Sequence, residues 1–193
     1  MSTTDPFAQF DAWFQEAVAA EPTLPEAMTL ATVSADGRPS TRMVLLKSHD
    51  PHGFVFYTNF NSTKGHELLG NPNASLCFHW KTLGRQLRID GQALPVSDGE
   101  ADAYFESRPR GSQIGAWASE QSKPVESRAI LEARVQQFEA EYDGRDVPRP
   151  PHWSGFRLVP SRIEFWTNQR DRLHDRQVFD RDGEGWRETR LQP

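Results

Sequence analysis

"AMTLATVSADGRPSTRMVLLK", residues 27–47, is the stretch on which the fold turns. Two runs with strand character, AMTLATV and RPSTRMVLLK, flank SADG, where Asp36-Gly37 offers the positive φ that a tight hairpin requires. From Ala27 onward the chain therefore reads as antiparallel β. The texture returns in FVFYTNF after the turn HDPHG, in ASLCFHWK and RQLRIDGQALPV, and in GFRLVPSRIEFWT. It ends with DRLHDRQVF and WRETRL on either side of the turn DRDGEG. That makes about eight short strands. The βαβ alternation and the Gly-x-Gly-x-x-Gly loop of a dinucleotide fold are both missing. The pattern predicts a mainly β fold with flanking helices, a closed or split antiparallel barrel.

Helices surround these strands. Asp5 is placed to cap a helix with Pro6 in its first turn, and Phe7, Phe10, Phe14, Ala17 and Val18 form one apolar stripe within the N-terminal segment 1–25. Ser62 is placed to cap TKGHELLG. Ser97 and Glu100 read as a capping box for a helix running through Phe105. A short helical piece follows RPRGSQ, and a long amphipathic helix is expected from about Pro124 to Tyr142. The proline-rich GRDVPRPPHW is a stiff connector into the C-terminal strands, 154–193. A chain of 193 residues is read as one domain over 1–193, large enough for a substantial core.

Composition narrows the function. The formal charge is −5, with no long basic run, which argues against nucleic acid as a partner. The single cysteine, Cys77, excludes an intrachain disulfide and a cysteine-based metal cluster. It lies in an apolar run and is expected to be a structural thiol. No metal site is read among the histidines. The acidic N-terminus lacks the features of a signal peptide, and no run approaches the ~20 apolar residues of a membrane span, so the expected location is the cytoplasm.

Four segments carry residues suited to anions. In RLHDR, taken as a strand, Arg172, His174 and Arg176 share one face. A solvent-facing edge and an anion site explain that face equally well. In RMVLLK, Arg42 and Lys47 bracket four apolar residues that suit a strand buried on both faces. In YFESRPRGSQIGAW, Tyr104, Arg108 and Ser112 surround a helix break, a suitable phosphate cradle. In NSTKGHE, Thr63 and Lys64 open a helix after Ser62, where capping alone is a sufficient reason for the residues.

Together, RMVLLK, FYTN, FHWKTLGRQLRIDG, YFESRPRGSQIGAW with SEQS, IEFW and RLHDR closely resemble the pyridoxamine (pyridoxine) 5′-phosphate oxidase family, from about Asp5 to Pro193. The resemblance implies an FMN-binding split barrel and a homodimer with FMN at the subunit interface. It implies cofactor contacts from Arg42, Met43, Val44, Leu45, Leu46, Lys47, Tyr57, Thr58, Thr63, Lys64, Gln86, Gln121, Ser122, Trp166 and Arg176. The substrate phosphate is expected among Lys47, Tyr104, Arg108 and Ser112, with Arg172 and His174 against the substrate ring and the carbon oxidised. The implied reaction turns pyridoxamine or pyridoxine 5′-phosphate into pyridoxal 5′-phosphate, with O2 reduced to H2O2. Related alternatives are a flavoprotein acting on a phenazine-type ring and a non-catalytic FMN- or pyridoxal-phosphate-binding protein. Two departures stand out. Thr63 replaces the family's usual arginine before the lysine, and the Arg- and Tyr-rich N-terminal extension of many relatives is expected to be short or absent.

Overall fold

The structure, a computed structural model, describes residues 5–193. Residues 1–4, where the reading of segment 1–25 begins, lie outside the described residues. Helix α1 spans Pro6–Ala20, with the Asp5 carboxylate accepting the Phe7 N–H at 3.0 Å. The hairpin that set the fold is present as β1 (Ala27–Val33) and β2 (Pro39–Leu45), paired antiparallel with Gly37 at φ 82° in the turn. There follow β3 (Ser48–Asp50), β4 (Gly53–Asn59), α2 (Thr63–Gly70), β5 (Asn73–Trp80) and β6 (Arg85–Pro95). Three helices, α3 (Asp98–Glu106), α4 (Arg110–Ala118) and α5 (Arg128–Glu141), precede β7 (Trp153–Thr167), β8 (Asp175–Asp182) and β9 (Gly185–Leu191).

All nine strands belong to one antiparallel sheet in the order β2-β1-β5-β6-β7-β4-β3, with β8 and β9 added beyond the C-terminal half of β7. Strand β7 is long enough to pair with β4 through its first half and with β8 through its second. The Lys47 N–H donates to the Val55 carbonyl at 2.9 Å, drawing the end of β2 to β4 and curling the sheet into a split barrel. Residues of strands β1, β4, β5, β6 and β7 fill the inside, among them Leu30, Phe56, Phe78, Leu87, Ile89, Phe156, Ile163 and Phe165. Helix α1 adds Phe7, Phe10 and Ala17, and the Phe10 ring centroid lies 4.9 Å from that of Phe54. At the bulge between Asp90 and Gly91, a Cβ on Gly91 would lie 2.1 Å from the Val159 carbonyl oxygen, so only glycine lets β6 pass β7 there. A second cluster, with Phe105, Ile114, Tyr142, Val147 and Trp153 buried, joins α3, α4 and α5 to the barrel.

Several expectations need correction. Strand β2 is not buried on both faces: its burial alternates as in β1 and Met43 is 61% exposed, because one face of the sheet lies outside the barrel. The segment RLHDR is not a strand. Arg170–Arg172 forms a single 3₁₀ turn, Asp171 and Arg172 have φ of 55° and 62°, and β8 begins only at Asp175. Helix α5 starts at Arg128 and buries none of its residues fully. Val18 points to solvent. Half of the capping box forms: Ser97 accepts the Glu100 N–H at 3.2 Å, while the Glu100 carboxylate goes to Arg157 instead. A ninth strand, β3, lies where a turn was expected.

Candidate active site

A cleft of about 620 Å³ opens where β2, β4, α2 and the α3–α4 turn meet. Four cationic side chains, Arg42, Lys47, Lys64 and Arg108, line it, and among the described residues no carboxylate does. Strand β2 delivers Arg42, Met43, Val44 and Leu45, with Lys47 just beyond; Leu46 turns into the core instead. Although five residues apart, and so of opposite parity along an extended chain, Arg42 and Lys47 reach the same cleft, because the chain leaves the strand at Leu45. Tyr57 and Thr58 come from β4, and Tyr104, Arg108 and Ser112 from the break between α3 and α4.

The N-terminus of α2 forms one end of the cleft. Ser62 caps it, accepting the Gly65 N–H at 3.2 Å while donating to the Asn59 carbonyl at 2.6 Å. Removing this cap by Ser62→Ala is expected to cost about 1 kcal/mol of stability, measured as a lower urea midpoint at unchanged slope. Lys64 Nζ donates to Gln121 Oε1 at 2.7 Å and to Thr58 Oγ1 at 3.2 Å. The Thr63 N–H donates to Ser122 Oγ at 3.3 Å, at a residue held in left-handed backbone (φ 71°). Ammonium, hydroxyls and backbone amide thus converge as a phosphate site requires.

Burial, and then the charge of Arg42, pull the Lys64 pKa below its ordinary 10.5. A bound anion favours the ammonium, so affinity for a phosphorylated ligand should fall as pH rises through the depressed pKa. Titrations with a phosphorylated ligand over a rising pH series will detect the loss earlier than an ordinary lysine would give; affinity flat up to the ordinary range removes Lys64 from the anion-binding set. Behind Arg42 lies Glu67, which sequence reasoning missed. It accepts from Ser40 Oγ at 2.8 Å and from Arg42 Nη2 at 3.1 Å. Burial alone would raise this carboxyl, but the Thr32 and Ser40 hydroxyls and the Arg42 guanidinium outweigh it and hold it low.

Aromatic rings form the other wall. Tyr57 stacks on Tyr104 at 4.0 Å between centroids and lies nearly parallel to Trp153 at 5.4 Å. Gly155, opposite Tyr57 across the β4–β7 ladder, leaves room for that ring, since a Cβ there would lie 2.8 Å from it. Burial, then the nearby Glu100, push the Tyr57 phenol up to about 12, so it stays protonated at neutral pH. Arg108 packs its guanidinium 4.6 Å above the Trp153 ring, and its Nη1 is buried without any hydrogen-bond partner. A half-buried guanidinium whose Nη1 has no partner among the described residues, beside Tyr104 and Ser112, is a donor set that lacks its acceptor. Trp153, Asn59 and Ser119 also line the cleft and were not picked out from the sequence.

The remaining expected residues do not line the cleft within one chain. Gln86, Trp166 and Arg176 form one cross-strand row over β6, β7 and β8, on the face opposite the core. Arg172 stands exposed in the turn after β7, with no ion-pair partner among the described residues. His174 packs against Trp166 with the rings tilted by 41° and their centroids 4.5 Å apart, and its Nδ1 accepts the Gln169 N–H at 3.2 Å. The neutral imidazole therefore carries its proton on Nε2.

Comparison with known proteins agrees with this geometry. The family model described as pyridoxamine 5′-phosphate oxidase matches residues 14–142, and the pyridoxine 5′-phosphate oxidase C-terminal dimerisation region matches residues 153–193. The chain belongs to the pyridoxamine 5′-phosphate oxidase family. A pyridoxine/pyridoxamine 5′-phosphate oxidase of Sphingopyxis alaskensis is 58% identical over 98% of this chain and 88% of its own length. One from Rhodospirillum rubrum is 57% identical over 98% and 96%. Among solved structures, PhzG from Burkholderia lata, in complex with tetrahydrophenazine-1-carboxylic acid, superposes with a TM-score of 0.93 at 36% identity, covering 100% of this chain and 94% of that one. An FMN-binding protein of Nostoc punctiforme, at TM-score 0.79 and 17% identity over the full length of both chains, shares the fold. This family is one of oxidoreductases, and the architecture is its split barrel. Among the described residues no helix is long and apolar enough to cross a membrane.

Proposed function

We propose that the protein oxidises pyridoxamine 5′-phosphate and pyridoxine 5′-phosphate to pyridoxal 5′-phosphate, using FMN and releasing H2O2 from O2. One observation carries this reading: two separate anion-seeking donor sets share a cleft without carboxylates, one around Lys64 and one around the unpartnered Arg108. A phosphorylated cofactor and a phosphorylated substrate together supply two such anions. Lys64, Thr58, Thr63, Gln121 and Ser122 would hold the FMN phosphate, with Arg42 and the 43–47 backbone along the flavin. Lys47, Tyr104, Arg108 and Ser112 would hold the substrate phosphate.

Bound FMN would supply the two-electron oxidation of the substrate's C4′ carbon, with oxygen as final acceptor. The chain's part is orientation and charge. Arg172 would lie against the substrate ring and fix the reacting carbon, and His174 would present its Nε2–H as a donor. Gln86, Trp166, Arg172, His174 and Arg176 lie away from the cleft of their own chain, which favours a homodimer with FMN at the subunit interface. The match to a dimerisation region supports the same assembly. Sequence span 1–193 would act as one domain in each subunit.

The likeness to PhzG favours a second reading, a flavoprotein acting on a phenazine-type ring; a third is a binding protein without turnover. One experiment separates them. The purified protein, loaded with FMN, is mixed with pyridoxamine 5′-phosphate without oxygen. The proposal expects the flavin band to bleach and then to recover, with peroxide, on admitting air. A flavin that stays yellow rejects the proposal in favour of the other two readings. A chain that takes up no FMN rejects both flavoenzyme readings and leaves only a pyridoxal-phosphate-binding protein.

A further inference from the structure

Glu164 sits in β7 between Ile163 and Phe165, which enter the barrel core. Strand alternation turns Glu164 to the outer face, yet its side chain is only 4% exposed. A carboxylate removed from water needs charged partners, and Glu164 has two. Its Oε1 accepts from Arg176 Nε at 2.7 Å, and its Oε2 lies 3.6 Å from Arg88 Nη1. Arg176 has a second anchor, because its Nη1 donates to the Gln192 carbonyl at 3.2 Å, just past the end of β9.

These two bonds take the Nε edge and one Nη1 hydrogen, leaving Nη2 as an unused donor edge. The arginine stem is otherwise free to rotate, and ordering it at the moment of binding would weaken affinity. We propose that Glu164 is a positioning residue: with the Gln192 carbonyl behind it, it locks the Arg176 guanidinium so that the free edge is already oriented toward the flavin. This rests on the reading of Arg176 as an FMN contact. A merely structural pair would hold β7 to β8 with no effect on cofactor affinity beyond that on folding. Sequence pattern hides the role, since the acid in IEFW looks like an ordinary outward strand residue.

The test is a double-mutant cycle on the apo-protein, titrated with FMN and followed by quenching of flavin fluorescence, with thermal midpoints recorded alongside. Glu164→Gln is expected to weaken FMN binding on the order of tenfold. Arg176→Ala is expected to weaken it at least as much. The double variant should bind no worse than Arg176→Ala alone, because Glu164 acts only through that side chain. Unchanged affinity in Glu164→Gln, or losses that simply add in the double variant, would overturn the proposal. If Glu164→Gln does not fold, Glu164→Asp keeps the charge but withdraws it from Arg176, and the same losses are expected in the same cycle. Wild-type protein that fails to quench FMN overturns the flavin reading as well; tight wild-type binding beside an indifferent Glu164→Gln overturns this inference alone.

Discussion

Arg172→Leu is expected to lower turnover by about a hundredfold or more while FMN remains bound, the loss typical when a preorganised charged donor is removed from a reacting centre. Two features of the chain prepare Arg172 for this role. It sits at φ 62°, next to Asp171 at φ 55°, in backbone that L-residues adopt at a cost of order 1–3 kcal/mol each. The turn is pinned from behind by the Gln169 N–H on His174 Nδ1 and by Gln169 Nε2 on Asp175 Oδ2 at 2.8 Å. Its guanidinium has no ion-pair partner among the described residues, so it is presented rather than used within the fold. Leucine preserves bulk and removes the charge. Stopped-flow reduction of the flavin by pyridoxamine 5′-phosphate reads the effect directly. Reduction at the wild-type rate would remove Arg172 from the catalytic set; loss of FMN from the variant would reassign it to cofactor binding.

Arg108→Ala should separate binding from folding. In the free protein its Nη1 is buried without an acceptor, and burial lowers its pKa, so the charge is held in a place that does not favour it. Stacking over Trp153 returns part of that cost. Truncation should therefore leave the unfolding midpoint nearly unchanged or raise it slightly, since no partner is orphaned. Substrate binding should suffer instead. A charged hydrogen bond to phosphate contributes about 1.5–3 kcal/mol, or roughly ten- to a hundredfold in KM for pyridoxamine 5′-phosphate. The dephosphorylated amine should react equally well with both forms. A KM unaffected by the change would place the substrate phosphate elsewhere, and a large drop in stability would mean that Arg108 serves the fold.

Much of this was legible in the sequence, for reasons that can be located. The hairpin over residues 27–47, the Asp5 and Ser62 caps and strands β4, β5 and β6 follow from local rules: turn geometry, capping and a two-residue period. Family-characteristic segments pointed to twelve residues that one cleft does gather, from Arg42 through Gln121. The errors came where local pattern meets tertiary context. RMVLLK reads as doubly buried, but only one face of β2 looks into the barrel and Met43 lies on the other. RLHDR alternates like a strand, yet its first residues turn, which frees Arg172 from a ladder that would have fixed its direction.

The sequence by itself determined most of the strands and helices and which residue types are available for anions, because those depend on neighbours a few positions apart. Only the tertiary structure decided which charges are satisfied and which are free. Glu67 neutralises Arg42 and Glu164 holds Arg176, each across 12 or more residues of chain, whereas Arg108 is left buried without an acceptor. Charge compensation depends on distance and on exclusion of water, and both are set by packing between segments far apart in sequence.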